Sequence, residues 1–187
     1  MLEKLKAEVL LAYQELNRYG LDQYARGVVS AIDREKGMIV MKSARTALVA
    51  DMRGNILEGT QVPSSDIQSH ITIYQAFPEL GGVVQPHARY ATIFAQVGMD
   101  IPVLGSFHKD RFRVEIPCAA SAAQMQSTFH ERSMDPLLTP AALVLSHSAY
   151  AWGTTALDAV TNAAALEETA YLAYQTMQLD PGIQPLQ

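Results

Sequence analysis

Cysteine is almost missing from this sequence. The lone Cys118 excludes an internal disulfide, and with it the stapled scaffolds of small secreted proteins; it suits a reducing cytoplasm. Beside Pro117, that thiol reads as a small buried apolar residue and not as a nucleophile. Runs of lysine and arginine are absent too, and the net charge is −5, which argues against a nucleic-acid surface or a basic membrane patch. No apolar run approaches the roughly 20 residues of a membrane-spanning helix. The opening M-L-E-K-L-K-A-E-V-L alternates charge and reads as a helix, not as a signal peptide. Repeats and low-complexity segments are also missing. What is there is a chain of 187 residues, 49% hydrophobic and 18% charged, ordinary for a folded protein with a substantial core. One domain over residues 1–180, a short tail over 181–187 and a cytoplasmic location are expected.

Periodicity supplies the elements. Leu2, Leu5, Val9, Leu10, Tyr13 and Leu16 recur at helical spacing opposite Glu3, Lys4 and Lys6, predicting an amphipathic helix that ends near Gly20. Residues 28–32 and 38–41 are strand-like around the charged turn 33–37. Residues 47–50 and 55–57 form a second pair about Met52-Arg53-Gly54-Asn55. Residues 122–132 read as a helix and 141–145 as a buried strand. Thr155 to Asp158 opens a long helix with Leu157, Val160, Leu166 and Ala170 inward and the Glu167-Glu168 pair on a solvated face.

Residues 63–98 organise the rest. Ser65 and Gln68 have capping-box spacing, so Ser65 starts a helix with the stripe Ile67, Ile71 and Tyr74, and Phe77-Pro78 ends it. Gly81-Gly82 turns the chain into the buried run Val83-Val84, closed by Gln85-Pro86-His87. A further helix carries Tyr90, Ile93, Phe94 and Val97 and stops at Gly98. Polar residues gather at these junctions, where α/β proteins often bind ligands. Ser65 and Asp66 serve there either as caps favoured by the helix dipole or as part of an anion site. His70, one turn beyond Asp66, is either a hydrogen-bonded core histidine or a ligand.

Several motifs carry a resemblance. P-S-S-D at 63–66, the H-x-x-x-Y of His70 and Tyr74 ahead of E-L-G-G-V-V, the x-P-H followed by A-R-Y-A-T, and S-H-S-A-Y-A-W-G at 146–153 resemble the class II aldolase/adducin family. Within it they are most similar to the sugar-phosphate epimerases, over residues 1 to about 174. The resemblance implies an α/β fold: three α/β/α layers around a central, mostly antiparallel sheet. It also implies a homotetramer with sites at subunit boundaries and a divalent cation such as Zn²⁺. The activity implied is retro-aldol cleavage and recombination of a small-molecule sugar phosphate through a cation-stabilised enediolate. Carried over residue by residue, Asp66, His87 and His147 hold the metal, with Gln85 a weak fourth ligand. Gly27, Lys42, Ser64 and Ser65 hold the substrate and its phosphate. Asp110, with Asp66, is assigned to the catalytic proton transfers; Lys109, Arg111 and Arg113 around it favour its ionised form. The residues alone leave Asp110 equally readable as part of a solvated loop.

Departures from the family pattern fall on the same site. Val28 stands where the pattern has asparagine. Lys42-Ser43-Ala44-Arg45 lacks the proline and glycine of the K-P-S-G phosphate loop, leaving Arg45 to supply charge. Gln85 replaces the first histidine of H-x-H; imidazoles at i and i+2 of a strand share a cation, whereas a neutral amide is a poor zinc ligand. Ser148 replaces a glycine after His147, and the tail that carries a catalytic tyrosine in the epimerases has no counterpart. The alternative is a catalytically inactive homologue with a structural, assembly or ligand-binding role; an aldolase of an unphosphorylated substrate is a third reading.

Overall fold

Each apolar run in the first half of the chain is cut by a charged or glycine-containing turn, and the result is a meander. It comprises β1 (Val28–Asp33), β2 (Met38–Ser43), β3 (Ala47–Asp51) and β4 (Ile56–Gly59). Asp51 fixes the second hairpin by accepting at 2.9 Å from the N–H groups of both Arg53 and Asn55. The computed structural model describes residues 2–43, 47–59 and 64–186. The expectation for Arg45 lies outside them.

The meander continues into β5 (Gly82–Gln85), β8 (Ser148–Gly153), β7 (Ala141–Val144) and the short β6 (Cys118–Ala119). Together they make one eight-stranded sheet in the order β4-β3-β2-β1-β5-β8-β7-β6. Every neighbouring pair is antiparallel except β6 with β7. Helices cover both faces. α1 (Glu3–Arg18), α3 (Arg89–Val97) and α6 (Ala156–Leu179) bury Leu16, Phe94 and Leu166 with Val29, Val84 and Ala151 on one face. α4 (Ser106–Phe112) joins that layer through Phe112. α2 (Ser64–Ala76) and α5 (Met125–Glu131) bury Ile71, Tyr74 and Phe129 with Val83, Tyr150 and Trp152 on the other. The three-layer α/β/α architecture expected from the sequence is present. No helix among the described residues is long and apolar enough to cross a membrane.

Close backbone approach explains the glycines at the start of β5. A Cβ on Gly82 would lie 2.4 Å from the Thr155 carbonyl oxygen, and one on Gly81 2.0 Å from that of Thr154. Small residues on α6, among them Ala156, Ala159 and Ala163, let the helix lie down on β5 and β8 at this point.

Helix faces depart from the expected stripes for the same reason. α3 buries Ala91, Phe94 and Ala95, so Ile93 and Val97 point outward; Leu10 and Leu157 are exposed as well. Residues 106–112, readable as a charged loop, form α4 because His108 and Phe112 are buried beneath the charges. Glu167 is not a solvated face residue. Its carboxylate accepts from the N–H groups of Tyr90 and Ala91 at 3.0 Å and caps α3, whose own N-cap position is Ala88.

Candidate functional site

Strand register gathers the motif residues at one end of the sheet. Val28, the first residue of β1, lies opposite both Gln85 at the end of β5 and Ser43 at the end of β2. β8 runs antiparallel to β5 with Val84 opposite Ala151, so Ser148 opens β8 at that same end. The period of two then assigns faces. Gln85, Ser148 and Tyr150 share the α2 face with Val28 and Ser30, whereas Lys42 shares the α1 face with Val29.

On the α2 face the centre is Tyr150, a fully buried residue. Its hydroxyl lies 3.5 Å from His147 Nε2 and is hydrogen-bonded to the side chains of Ser69 and Ser148. Burial raises its pKa, the two serines oppose that shift, and the nearby Asp66 charge adds to it. The phenol is therefore a proton donor at neutral pH. Gln85 Nε2 donates to Ser148 Oγ at 3.1 Å, while Gln85 Oε1 is buried without a partner among the described residues.

Behind Tyr150 lies a second buried polar group. His70 Nδ1 is 2.7 Å from Ser30 Oγ, which is itself 2.9 Å from the Tyr74 hydroxyl. Burial lowers the His70 pKa to about 3, so the ring is neutral, and its Nε2 is buried without a partner among the described residues. The His70 ring stands edge-on to that of Tyr150, with centroids 6.1 Å apart. This is the core-histidine arrangement.

On the α1 face the candidate substrate residues meet a carboxylate. Asp22 accepts from the Gly27 N–H and, through its other oxygen, from the Tyr13 hydroxyl. Burial, and then that carboxylate, pushes the Tyr13 hydroxyl up to about 12. The Lys42 ammonium lies 4.7 Å from the centre of the Tyr13 ring, a cation–π contact. Gly27 and Lys42 are thus tied to one in-chain cluster, and the Gly27 amide is already occupied.

The structure brings Gln85, His147 and Asp66 to one neighbourhood through Ser148 and Tyr150. His87 leaves the strand end beyond Pro86, half-buried, with its ring edge-on to Tyr24. Ser64 and Ser65 open α2. Asp110 is exposed on α4, in the layer on the opposite face of the sheet from Tyr150. Among the described residues no three His, Cys, Asp or Glu side chains come together as a metal-holding group. The expected ligands Asp66, His87 and His147 are not drawn together as such a group, and at the weak fourth position stands a neutral amide whose nitrogen is spent on Ser148. Zinc sites draw on imidazole, thiolate and carboxylate. Sequence reasoning missed Tyr150, Ser69 and Asp22. The only signal for Tyr150 was its place two residues beyond Ser148, on the same strand face.

The model of the class II aldolase and adducin N-terminal domain matches residues 7–174. L-ribulose-5-phosphate 4-epimerase UlaF of Salmonella paratyphi A (strain ATCC 9150 / SARB42) is 40% identical over 206 residues, covering 99% of this chain and 90% of that protein. The protein of the same name from Salmonella typhi matches to the same extent. Among solved structures, an L-fuculose 1-phosphate aldolase superposes with a TM-score of 0.78 at 20% identity, over 98% of this chain and 89% of that one. The L-fuculose-1-phosphate aldolase of Thermus thermophilus gives 0.73 at 20% identity, over 98% and 100%. The structural likenesses speak to the fold, and the sequence match carries the assignment further: this chain belongs to the class II aldolase and adducin family.

Proposed function

We propose that the protein binds a small-molecule sugar phosphate and performs epimerase- or aldolase-type chemistry, breaking the C–C bond between the carbons α and β to the substrate carbonyl. The observation that supports this most is the meeting of α2, β5 and β8 at the Tyr150 hydroxyl, with His147, Ser69 and Ser148 around it. The N-terminus of α2, with Ser64 and Ser65, is the anion-binding end. The hydroxy-ketone part of the substrate lies toward Gln85, Ser148 and Tyr150.

A base takes the proton of the hydroxyl on the far carbon of the bond to be broken, β to the carbonyl. The oxyanion collapses to an aldehyde, and the electron pair of the C–C bond passes to the ketone fragment as an enediolate. Attack on the other face of the rotated aldehyde, with return of the proton to the new alkoxide, gives the epimer; release of the aldehyde and protonation of the enediolate gives the aldolase outcome. Asp110 lies on the other face of the sheet, so its part in proton transfer requires a second copy of the chain, in keeping with a homo-oligomer. A divalent cation would polarise the carbonyl as a Lewis acid, but the donor set is incomplete and no step is assigned to it.

A second reading, a catalytically inactive binding protein, is favoured by the Asp22 carboxylate on the Gly27 amide, where a phosphate would meet like charge. A coupled assay of L-ribulose 5-phosphate epimerisation, run with EDTA and with added Zn²⁺ or Mn²⁺, separates the two. Turnover is expected. Absence of turnover with every pentulose and deoxyhexulose phosphate tried, with binding retained, would select the inactive reading.

A further inference from the structure

Two of the positions at which the chain departs from its family's pattern, Gln85 and Ser148, touch each other. The Gln85 carboxamide donates to the Ser148 hydroxyl across 3.1 Å, from the end of β5 to the start of β8. A glycine at 148 would leave that donor unpaired. A histidine at 85 would present one ring nitrogen where the carboxamide presents both a donor and an acceptor. The two substitutions fit one another as a hydrogen-bonded pair.

The pair is also incomplete. Gln85 Oε1 is buried and unpartnered among the described residues, which is unfavourable while it stays so. Turning the amide over would let the oxygen accept from Ser148 and leave the nitrogen unpaired instead, so one end of the carboxamide remains open in either orientation. A second fully buried group, His70, leaves its Nε2 unpartnered beside the Tyr150 ring. Next to these atoms stand the hydroxyl groups of Ser148, Ser69 and Tyr150 and the neutral His70 ring, with His147 Nε2 3.5 Å beyond the Tyr150 hydroxyl and the Asp66 charge near it. With a neutral amide at position 85 and hydroxyls as its nearest neighbours, this spot is a poor one for a divalent cation and a good one for a group that both donates and accepts hydrogen bonds.

We propose that Gln85, Ser148 and Tyr150 form a metal-free recognition site for the neutral hydroxy-ketone portion of a ligand. The carboxamide takes up the ligand hydroxyl, and the Tyr150 hydroxyl donates to the adjacent carbonyl oxygen. The proposal rests on the sugar-phosphate reading only for the ligand class; the absence of a cation from the Gln85 position stands on the donor set alone.

The test uses the full chain after EDTA treatment, titrated separately with dihydroxyacetone and with Zn²⁺ alone. Dihydroxyacetone should shift the Gln85 side-chain amide signals saturably in ¹H–¹⁵N spectra, and that saturable binding should be lost in Ser148→Gly. Zn²⁺ should bind the unaltered chain substoichiometrically. The isosteric Gln85→Glu, which supplies a carboxylate oxygen without changing side-chain shape, should bind Zn²⁺ at least about tenfold tighter. One Zn²⁺ per unaltered chain, released by Gln85→Leu, would overturn the proposal; so would amide signals that dihydroxyacetone leaves unmoved. None of these readouts depends on turnover, so failure of the epimerase assay and failure of this site are separate results.

Discussion

His70 makes the stability of this protein depend on pH. Its ring is fully buried, its hydrogen-bond partner is the Ser30 hydroxyl, and desolvation lowers its pKa from 6.5 to about 3. The unfolded chain takes up a proton at this position below about pH 6.5, and the folded chain does not until about pH 3. Stability is therefore fully present above pH 6.5 and falls as the pH drops, by about 1.4 kcal/mol per unit. Between pH 6.5 and pH 4 the loss from this one residue comes to about 3 kcal/mol, a large part of the ~5–15 kcal/mol that holds a domain folded. Burial lowers His108 too, with the same sign, so the comparison must isolate His70. Urea unfolding followed by circular dichroism at pH 7, 6, 5 and 4 should be run on the unaltered chain and on His70→Gln, whose amide does not titrate. The two free energies should converge as the pH falls, because the unaltered chain loses the extra ~3 kcal/mol. Parallel curves for the two proteins would refute the reasoning.

Arg34 donates from one guanidinium nitrogen to the carbonyls of Tyr74, Phe77 and Leu80, at 3.3, 3.1 and 2.9 Å. Arg34→Ala should cost about 2–3 kcal/mol in urea unfolding by freeing the C-terminal end of α2. Glu167→Ala removes the acceptor for the N–H groups of Tyr90 and Ala91. A loss of about 2 kcal/mol is expected, with faster amide exchange confined to the first turn of α3. Gly82→Ala drives a Cβ into the backbone at Thr155 and Ala156; at least about 3 kcal/mol should be lost, or soluble expression with it. Asp110→Asn and His147→Ala, each inactive alone, should recover about a quarter of full activity when co-refolded in equal amounts, because one site in four then draws both intact residues from different copies. No recovery in the mixed refold would count against a shared site.

The fold was legible where burial pattern and punctuation agree. Alternating apolar residues broken at 33–37 and 52–55 gave the meander, and Phe77-Pro78 and Gly98 marked helix ends that the structure keeps. α4 was not legible, because Lys109, Asp110, Arg111 and Arg113 hide a helix anchored by only His108 and Phe112. The inward faces of α3 and α6 were misread because alanine, not the larger Ile93, Val97 and Leu157, makes the close contact. Glu167 looked solvated because its partners, the Tyr90 and Ala91 amides, are 77 and 76 residues away in sequence. At the candidate site the motif residues could be named from the sequence, but not their partners. Nothing local joins Gln85 to Ser148, 63 positions on; Asp22 stands near Gly27 in sequence, but no motif marks its carboxylate as the group that occupies the Gly27 amide.

Register explains why the departures belong together. Val28 lies directly opposite Gln85 on one side and Ser43 on the other, so three altered segments share one strand end. Val28 is 7% exposed and belongs to the apolar cluster beneath α2. An asparagine there would bring a polar amide next to residue 85; valine withdraws it and lowers the local polarity. In such surroundings a divalent cation lacking a full set of charged or imidazole donors loses far more hydration energy than it regains, whereas a ligand hydroxyl loses one or two hydrogen bonds to water and recovers them from the carboxamide. The apolar Val28 therefore favours the same neutral occupant as the Gln85–Ser148 pair. Val28→Asn alone should not restore cation binding, because the missing ligand is at position 85.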